Sequence, residues 1–457
     1  MLIKEDNTDI QDGLRNNTIE KNKNVIRISD LEFEGTFNLC GVENDEIITF
    51  ERCRFKNVRM ENCVFSTFSF LECEVESFYC DQSEFKNVFG LTRCRSLKNI
   101  SIKNSKFKYS CNLCSADTIY IGGVAGAVRI YSLEKKIETV NIGSKMEGSV
   151  SIVAMELINP GEKPFVERPF WYSVGKLLVQ AEVGGGVHLH RVEIDEIRIR
   201  GESRTGQIKI DVVKATKIVF VDYYNSLYSG LILNRVEPLD KESSSFVVVC
   251  SDLGEAKIRN TDFTLFNEFV YFDSDLGEVE CQDVDFPEYP LIEERRTYIE
   301  IRPDMSKGEK KEVQRNIYLN SVARIMKRAD DKLRASRFRC LELDHVLRNT
   351  KLTDNPLVFT SLSASAASSR HGTNWMLPLI IMGIFLAVIS SVIDYSTVGS
   401  FLPSDSLRLL NPAHRIEELS VGSEIGKSGY LVFLDYLFRV LTAYLGYQFF
   451  KAFRVFS

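Results

Sequence analysis

The chain has 457 residues with 57 basic and 63 acidic side chains, a formal net charge of −6. That balance excludes a globally basic nucleic-acid binder, though not a local basic patch. The length exceeds one ordinary core, and the mean hydropathy of −0.10 averages a polar first part with a very apolar last stretch.

Residues 1–26 are polar and charged, with none of the apolar core of a secretory signal. Membrane insertion therefore falls to apolar helices near the C-terminus. The segment reads as a polar cap. From about residue 50 to 88, Phe50, Phe55, Met60, Phe65, Phe70, Val75, Cys80 and Phe85 recur every five residues. Two residues ahead of most of them runs a second series: Cys53, Val58, Cys63, Phe68, Cys73, Phe78, Ser83 and Val88. A period of five fits neither a helix nor a plain strand. It fits a square coil whose faces each turn a large residue to the axis and pack a small one beside it. These coils resemble the pentapeptide-repeat β-helices, with Phe where Leu is usual and Cys or Val where Ala is usual. The resemblance implies a right-handed β-solenoid.

Of the eleven cysteines, Cys53, Cys63 and Cys73 recur every ten residues inside this repeat, where a free thiol serves as a small hydrophobe. With no export signal ahead of them, a reducing compartment is expected rather than a disulfide scaffold. Cys111 and Cys114 make one CxxC with no second pair at zinc-finger spacing, so packing is the simpler role.

Beyond residue 90 the strict period decays while the alternation persists, in segments such as TIYIGG, AVRIYSL, EIRIRG and KIVFVDYY separated by turn formers. Asp252-Leu-Gly-Glu and Asp275-Leu-Gly-Glu stand 23 residues apart, each followed by an Asp-Phe, at Asp262 and Asp285. That is one turn of a wider solenoid. Residues 27–290 thus read as one continuous β-solenoid, which makes the chain mainly β. Residues 291–311 read as a charged linker and 312–350 as a helical hairpin broken at Asp330-Asp331. One helix carries a stripe of Ile317, Val322, Ile325 and Met326, the other a stripe of Leu333, Phe338, Leu341, Leu343 and Val346. The hairpin is either a self-packing adaptor or an oligomerisation element. A serine-rich juxtamembrane segment, 351–374, follows.

Residues 375–395 read as a first transmembrane helix: Trp375 to Ile393 is free of charge, and Trp375 and Tyr395 stand at its ends as interfacial aromatics. A loop, 396–428, leads to a second span, 429–451, and a short tail, 452–457. The second span is less pure, containing Asp435, Arg439 and Gln448. Basic residues are denser ahead of the first span than in the loop, so both termini are expected on the cytoplasmic side of the membrane, with the loop on the far side.

Four stretches, SDLGEAKIRNTDFTLFNEFVYFDSDLGEV, VARIMKRADDKLRASRFRCLELD, SSRHGTNW and LDYLFRVLTAYLGYQFFKAFR, together with the repeat region, look like a group of bacterial membrane proteins. These join a pentapeptide-like β-helix to a helical hairpin and two C-terminal spans. The architecture is similar to Hailong-type effectors of anti-phage defence. That resemblance implies a channel-forming homo-oligomer, taken as a tetramer. Its control would come from a nucleotide or single-stranded DNA oligomer made by a partner nucleotidyltransferase.

Enzyme motifs are missing: there is no GK[ST] phosphate loop, no GxSxG and no HExxH, and Gly184-Gly185-Gly186 precedes no helical pattern. No enzyme and no cofactor is expected. His188 and His190 project from one strand face, but no third metal ligand is evident in the sequence. Asp435 and Arg439 lie four residues apart on one helix face, and charges at membrane depth are costly. They are either a pore-lining or gating face, with Gln448 near the cytoplasmic mouth, or a salt bridge that fixes packing. On the solenoid, Arg191, Arg198, Arg200, Arg204, Lys209 and Lys217 would stack into a basic strip, with Tyr223 and Tyr224 available to stack on bases. The alternative there is an ordinary solvated face compensated by Glu193, Asp195 and Glu196. Overall, the reading favours a cytosolic sensor gating an ion channel that depolarises the host. The competing reading is a membrane-anchored scaffold that recruits a partner.

Overall fold

A computed structural model describes residues 18–22, 25–114, 116–130, 136–143, 149–153, 172–180, 186–203, 206–225, 230–276, 278–292, 307–396 and 402–456. Most of the N-terminal cap, most of the linker, part of the loop after the first apolar helix, and Arg204 lie outside the described residues. Two compact units divide the chain, 1–315 and 316–457.

The first unit is a right-handed β-solenoid of about ten turns, its strands stacked in parallel. Each strand pairs with the strand one rung on, so Arg54–Glu61 lies on Glu74–Asp81 with Phe55 opposite Val75 and Val58 opposite Phe78. The five-residue series therefore points inward, and Phe55, Phe65, Phe70 and Phe85 are fully buried. Rings stack from rung to rung, Phe50 on Phe70 at 5.2 Å and Phe85 on Phe107 at 5.2 Å. Off-axis residues face water and pair between rungs: Arg54 bridges Glu32 and Glu74, at 2.7 Å to each. Thr18–Asn22 pairs antiparallel with Val25–Ser29 and covers part of the first edge.

Every second corner of the square coil is held by a left-handed residue, one per ten residues. Arg52, Asn62, Glu72 and Gln82 have φ of 53, 50, 54 and 48°. An L-residue there costs about 1–2 kcal/mol, which the stacked rungs must over-determine. The residue after each corner does more than fill space. Cys53 N–H donates to Cys73 Sγ at 3.4 Å, Cys63 N–H to Ser83 Oγ at 3.2 Å, and Ser83 N–H to Ser105 Oγ at 3.3 Å. In turn the Ser83 hydroxyl donates to Asp81 O at 2.9 Å. The columns of Cys and Ser thus satisfy corner amides that no strand ladder reaches.

The wider rungs repeat the device. Asp252 bridges to Asp275 and Lys257 pairs with Glu280, the 23-residue repeat in register. Tyr223 N–H donates to Ser251 Oγ, and Ser251 N–H to Ser274 Oγ, both at 3.1 Å. Beyond the last rung, Asp273 N–H donates to Gln314 Oε1 at 2.9 Å and Arg315 lies over the Tyr289 ring.

Helices follow: α1 (Lys307–Arg328), α2 (Lys332–Asn349), α3 (Pro356–Ser369), α4 (Met376–Ser396), α5 (Pro403–Leu409), α6 (Gly422–Ile425) and α7 (Gly429–Phe456). Between α1 and α2, Asp330 is left-handed and Asp331 accepts from Arg334 N–H at 2.9 Å as the N-cap of α2. The buried side of α1 is Tyr318, Leu319, Val322, Ile325 and Met326, whereas Ile317 is exposed. On α2, Phe338, Glu342 and His345 are buried while Leu333 is exposed. The serine-rich stretch is itself a helix, α3, started by Asn355 as N-cap and Pro356 at its first turn. Of the described helices, α4 is the one long and apolar enough to cross a membrane. Its Ile380, Ile384, Phe385 and Val388 are exposed, which a soluble core helix would hide.

Candidate functional site

In α7 the buried residues are Leu431, Asp435, Phe438, Thr442, Leu445, Gln448 and Ala452. They recur at steps of three or four, the seam of a helix packed along a partner. That partner is chiefly α4, with α3 at the far end. Polar groups therefore stand inside the seam, not on the outer surface, where Phe433, Tyr436, Leu437, Val440 and Phe450 are exposed.

Asp435 is the hub of this polar interior. Its Oδ2 accepts from Arg439 Nη2 at 2.6 Å, and its Oδ1 lies 2.8 Å from His414 Nε2. The other ring nitrogen of His414 lies 2.7 Å from Asn411 O. Both nitrogens thus face oxygen atoms, one on each side of the ring. His414 reaches α7 because the segment after α5 folds back onto the hairpin. Leu409, Leu419, Val421 and Ile425 join Ile389 and Ile393 of α4 and Leu431 and Phe438 of α7 in one core. Asp405 pins the same segment, accepting from Leu402 N–H and from the Ser420 amide and hydroxyl. Asp435 and Arg439 stand out in the sequence, whereas His414 does not, because it lies in the segment between the two apolar stretches, 21 residues from Asp435.

Two polar atoms on this face have no partner among the described residues: Arg439 Nε and Thr442 Oγ1 are buried without a hydrogen bond. Asp435, Arg439 and Thr442 stand at i, i+4 and i+7, one side of α7. Gly446 continues the line, and a Cβ there would meet nothing within 4 Å.

Gln448 belongs to a different junction. It is buried, and its Oε1 accepts from Ser369 Oγ at 3.0 Å. Ser368 and Tyr444 hydroxyls lie 3.3 Å apart beside it. The SSRHGTNW stretch makes this junction because Arg370, His371 and Gly372 are all left-handed. That tight turn delivers His371 Nε2 to Asp344 Oδ1 of α2 at 3.1 Å and aims Trp375 edge-on at Phe449 and Phe453. Burial holds the His371 pKa below the ordinary value, with Asp344 partly opposing.

The basic strip on the solenoid is interleaved with acids. Arg198 pairs with Glu196 at 2.8 Å, Arg200 with Asp222 at 3.6 Å and Lys209 with Asp211 at 3.7 Å. Lys217 stands in register opposite Glu196, and Arg191 is an exposed left-handed corner. The acids turn this strip into a mixed-charge face rather than a basic one. Tyr223 offers no stacking platform: it is fully buried and its hydroxyl donates to Asn225 Oδ1, leaving Tyr224 as the exposed ring of the pair. Asp222, left-handed at φ 48°, resets the alternation and sends Tyr223 inward.

The register also supplies what the sequence hid beside the histidine pair. His188 and His190 lie on one rung and Asp211 on the next, opposite His190. Potential ligand atoms of the three residues lie within 4.8 Å of one another.

No family model, no curated protein and no solved structure gives a significant match to this chain.

Proposed function

We propose that the protein is a membrane effector whose α4–α7 hairpin spans the bilayer twice and assembles with other copies into an ion channel. The observation that carries this reading is the polar line through α7, where Arg439 Nε and Thr442 Oγ1 are buried without partners beside the Asp435–His414 pair. An anchor needs none of these groups, and each charge at mid-membrane depth costs about 2.5–3.5 kcal/mol. Water in a shared path, or a neighbouring copy against the open edge at Gly446, would satisfy them. Two helices cannot enclose a path, so several copies are required. The solenoid is the cytosolic regulatory part, and depolarisation of the host is the output. Anti-phage defence, and a nucleotide or DNA-oligomer trigger, rest on the sequence resemblance alone. A trigger must bind the open and closed states with different affinity.

A second reading is a membrane-anchored scaffold that recruits a partner, with the polar groups as internal packing. Ser369 holding Gln448 favours it for that end of α7. The two readings separate in cells loaded with a voltage-sensitive dye, at rest and during phage infection. The channel reading expects depolarisation by the wild type that the Asp435→Leu/Arg439→Leu double variant loses at equal membrane abundance. Silence of the wild type in both conditions would sink it.

A further inference from the structure

Among the described residues of the solenoid, one cluster has the residue types of a metal site. His188 and His190 alternate on the strand Val187–Ser203 and so share its outer face. The next strand, Gln207–Asn225, sets Lys209 opposite His188 and Asp211 opposite His190. His190 Nδ1 stands 3.0 Å from Asp211 Oδ2. His188 Nε2 is buried and has no hydrogen-bond partner among the described residues. Asp211 Oδ1 is fixed by the Asn234 amide of the following rung at 2.7 Å.

We propose that His188, His190 and Asp211 form a binding site for a divalent transition-metal ion of the zinc class, clamping two adjacent rungs of the solenoid. Two imidazoles and a carboxylate are a donor set that zinc accepts, at about 2.0–2.2 Å per ligand. Tetrahedral donors then stand about 3.4 Å apart. The His190–Asp211 separation of 3.0 Å is close to that spacing, and potential ligand atoms of the set lie within 4.8 Å. Turning the His188 ring about its side-chain torsions closes the remainder. Asn234 plays the orienting part that a partner of a ligating carboxylate plays in metal sites. All three residues are only partly buried, which leaves a coordination position for water.

Lys209 is the opposing element. Its Nζ lies 3.7 Å from Asp211 Oδ2, and its side chain is 37 % exposed. A flexible ammonium can swing to solvent when a dication arrives, so it weakens the site without closing it.

The test uses full-length protein in detergent micelles, stripped with chelator and titrated with Zn2+ by calorimetry. The same titration is run on His188→Ala, His190→Ala, Asp211→Asn and Lys209→Ala. Metal-free melting curves check that each variant is folded. The expected result is one equivalent of Zn2+ in the wild type that each ligand variant loses or binds at least about tenfold more weakly. Lys209→Ala should bind more tightly than wild type, an outcome that a purely structural cluster would not give. Equal stoichiometry and affinity in the wild type and a folded His188→Ala/His190→Ala double variant would overturn the proposal.

Discussion

Removing Asp435 is the sharpest probe of the helical unit. Its carboxylate is 2 % exposed and Arg439 is 25 % exposed, so neither charge is well solvated. At 2.6 Å and an effective dielectric of about 20, their attraction is roughly 6 kcal/mol gross. Taking two ions out of water costs several kcal/mol each, so the intact pair contributes little net stability. Breaking it is another matter. Asp435→Leu strands the Arg439 cation and removes the acceptor of His414, and should destabilise by about 3–5 kcal/mol. In the Asp435→Leu/Arg439→Leu double variant, one unpaired His414 nitrogen remains, at about 1–3 kcal/mol. The single variant should therefore be the less stable of the two, by about 2 kcal/mol. Trp375 reports the event because it packs on Phe449 and Phe453 of α7. With Trp171 changed to Phe, its fluorescence can follow unfolding as SDS is titrated into mild micelles. A single variant as stable as the double would refute the assignment of Asp435 as the hub of a buried charge cluster.

Two further outcomes follow from the solenoid corners and the turn before α4. Ser251→Ala removes the acceptor of Tyr223 N–H at a buried corner, so a melting curve should show a loss of about 1–3 kcal/mol, while Ser251→Cys retains an acceptor and most of the stability. Burial holds the His371 pKa below its ordinary value, so the unfolded chain binds the proton more readily and stability should fall as pH drops through about 6.5. His371→Gln should flatten that dependence in melting curves between pH 7.5 and 5.5; an unchanged slope would show that His371 does not supply it.

The solenoid was legible in the sequence because a five-residue period of Phe, Val and Met admits few other structures. Outward placement of Arg198 and Arg200 also followed from simple alternation beside Ile197 and Ile199. Alternation failed wherever a left-handed corner resets it, as Asp222 does ahead of Tyr223. The corner cysteines were readable as small and buried, but their use as acceptors depends on a residue one rung away. Asp211 was hidden for the same reason: it becomes a neighbour of His190 only once a rung length of 21 residues is known. In the helical unit the composition of α4 announced itself. His414 did not, because a lone histidine in a polar-looking segment carries no periodic signal, and only the fold-back onto α7 gives it a carboxylate.

Both candidate sites lie where the hydrogen-bond economy of the fold runs out. Through the solenoid core, corner amides find a Cys or Ser on the next rung, and outward charges find partners across rungs. Such satisfaction is what stability alone selects, because a buried unpaired group costs about 1–3 kcal/mol. His188 Nε2 and Arg439 Nε are among the described atoms that depart from it: Asp211 beside His188 is engaged by His190, and Asp435 by His414 and by Nη2 of Arg439 itself. Apolar residues of similar size would stabilise both places at less cost. On the proposed readings, His188 and Arg439 are kept for something that arrives from outside a single chain: a cation for the first, and water or a neighbouring copy for the second. These readings also order the experiments. A cation can be added to purified protein and its effect read directly, whereas the role of Arg439 needs an intact membrane with a potential across it.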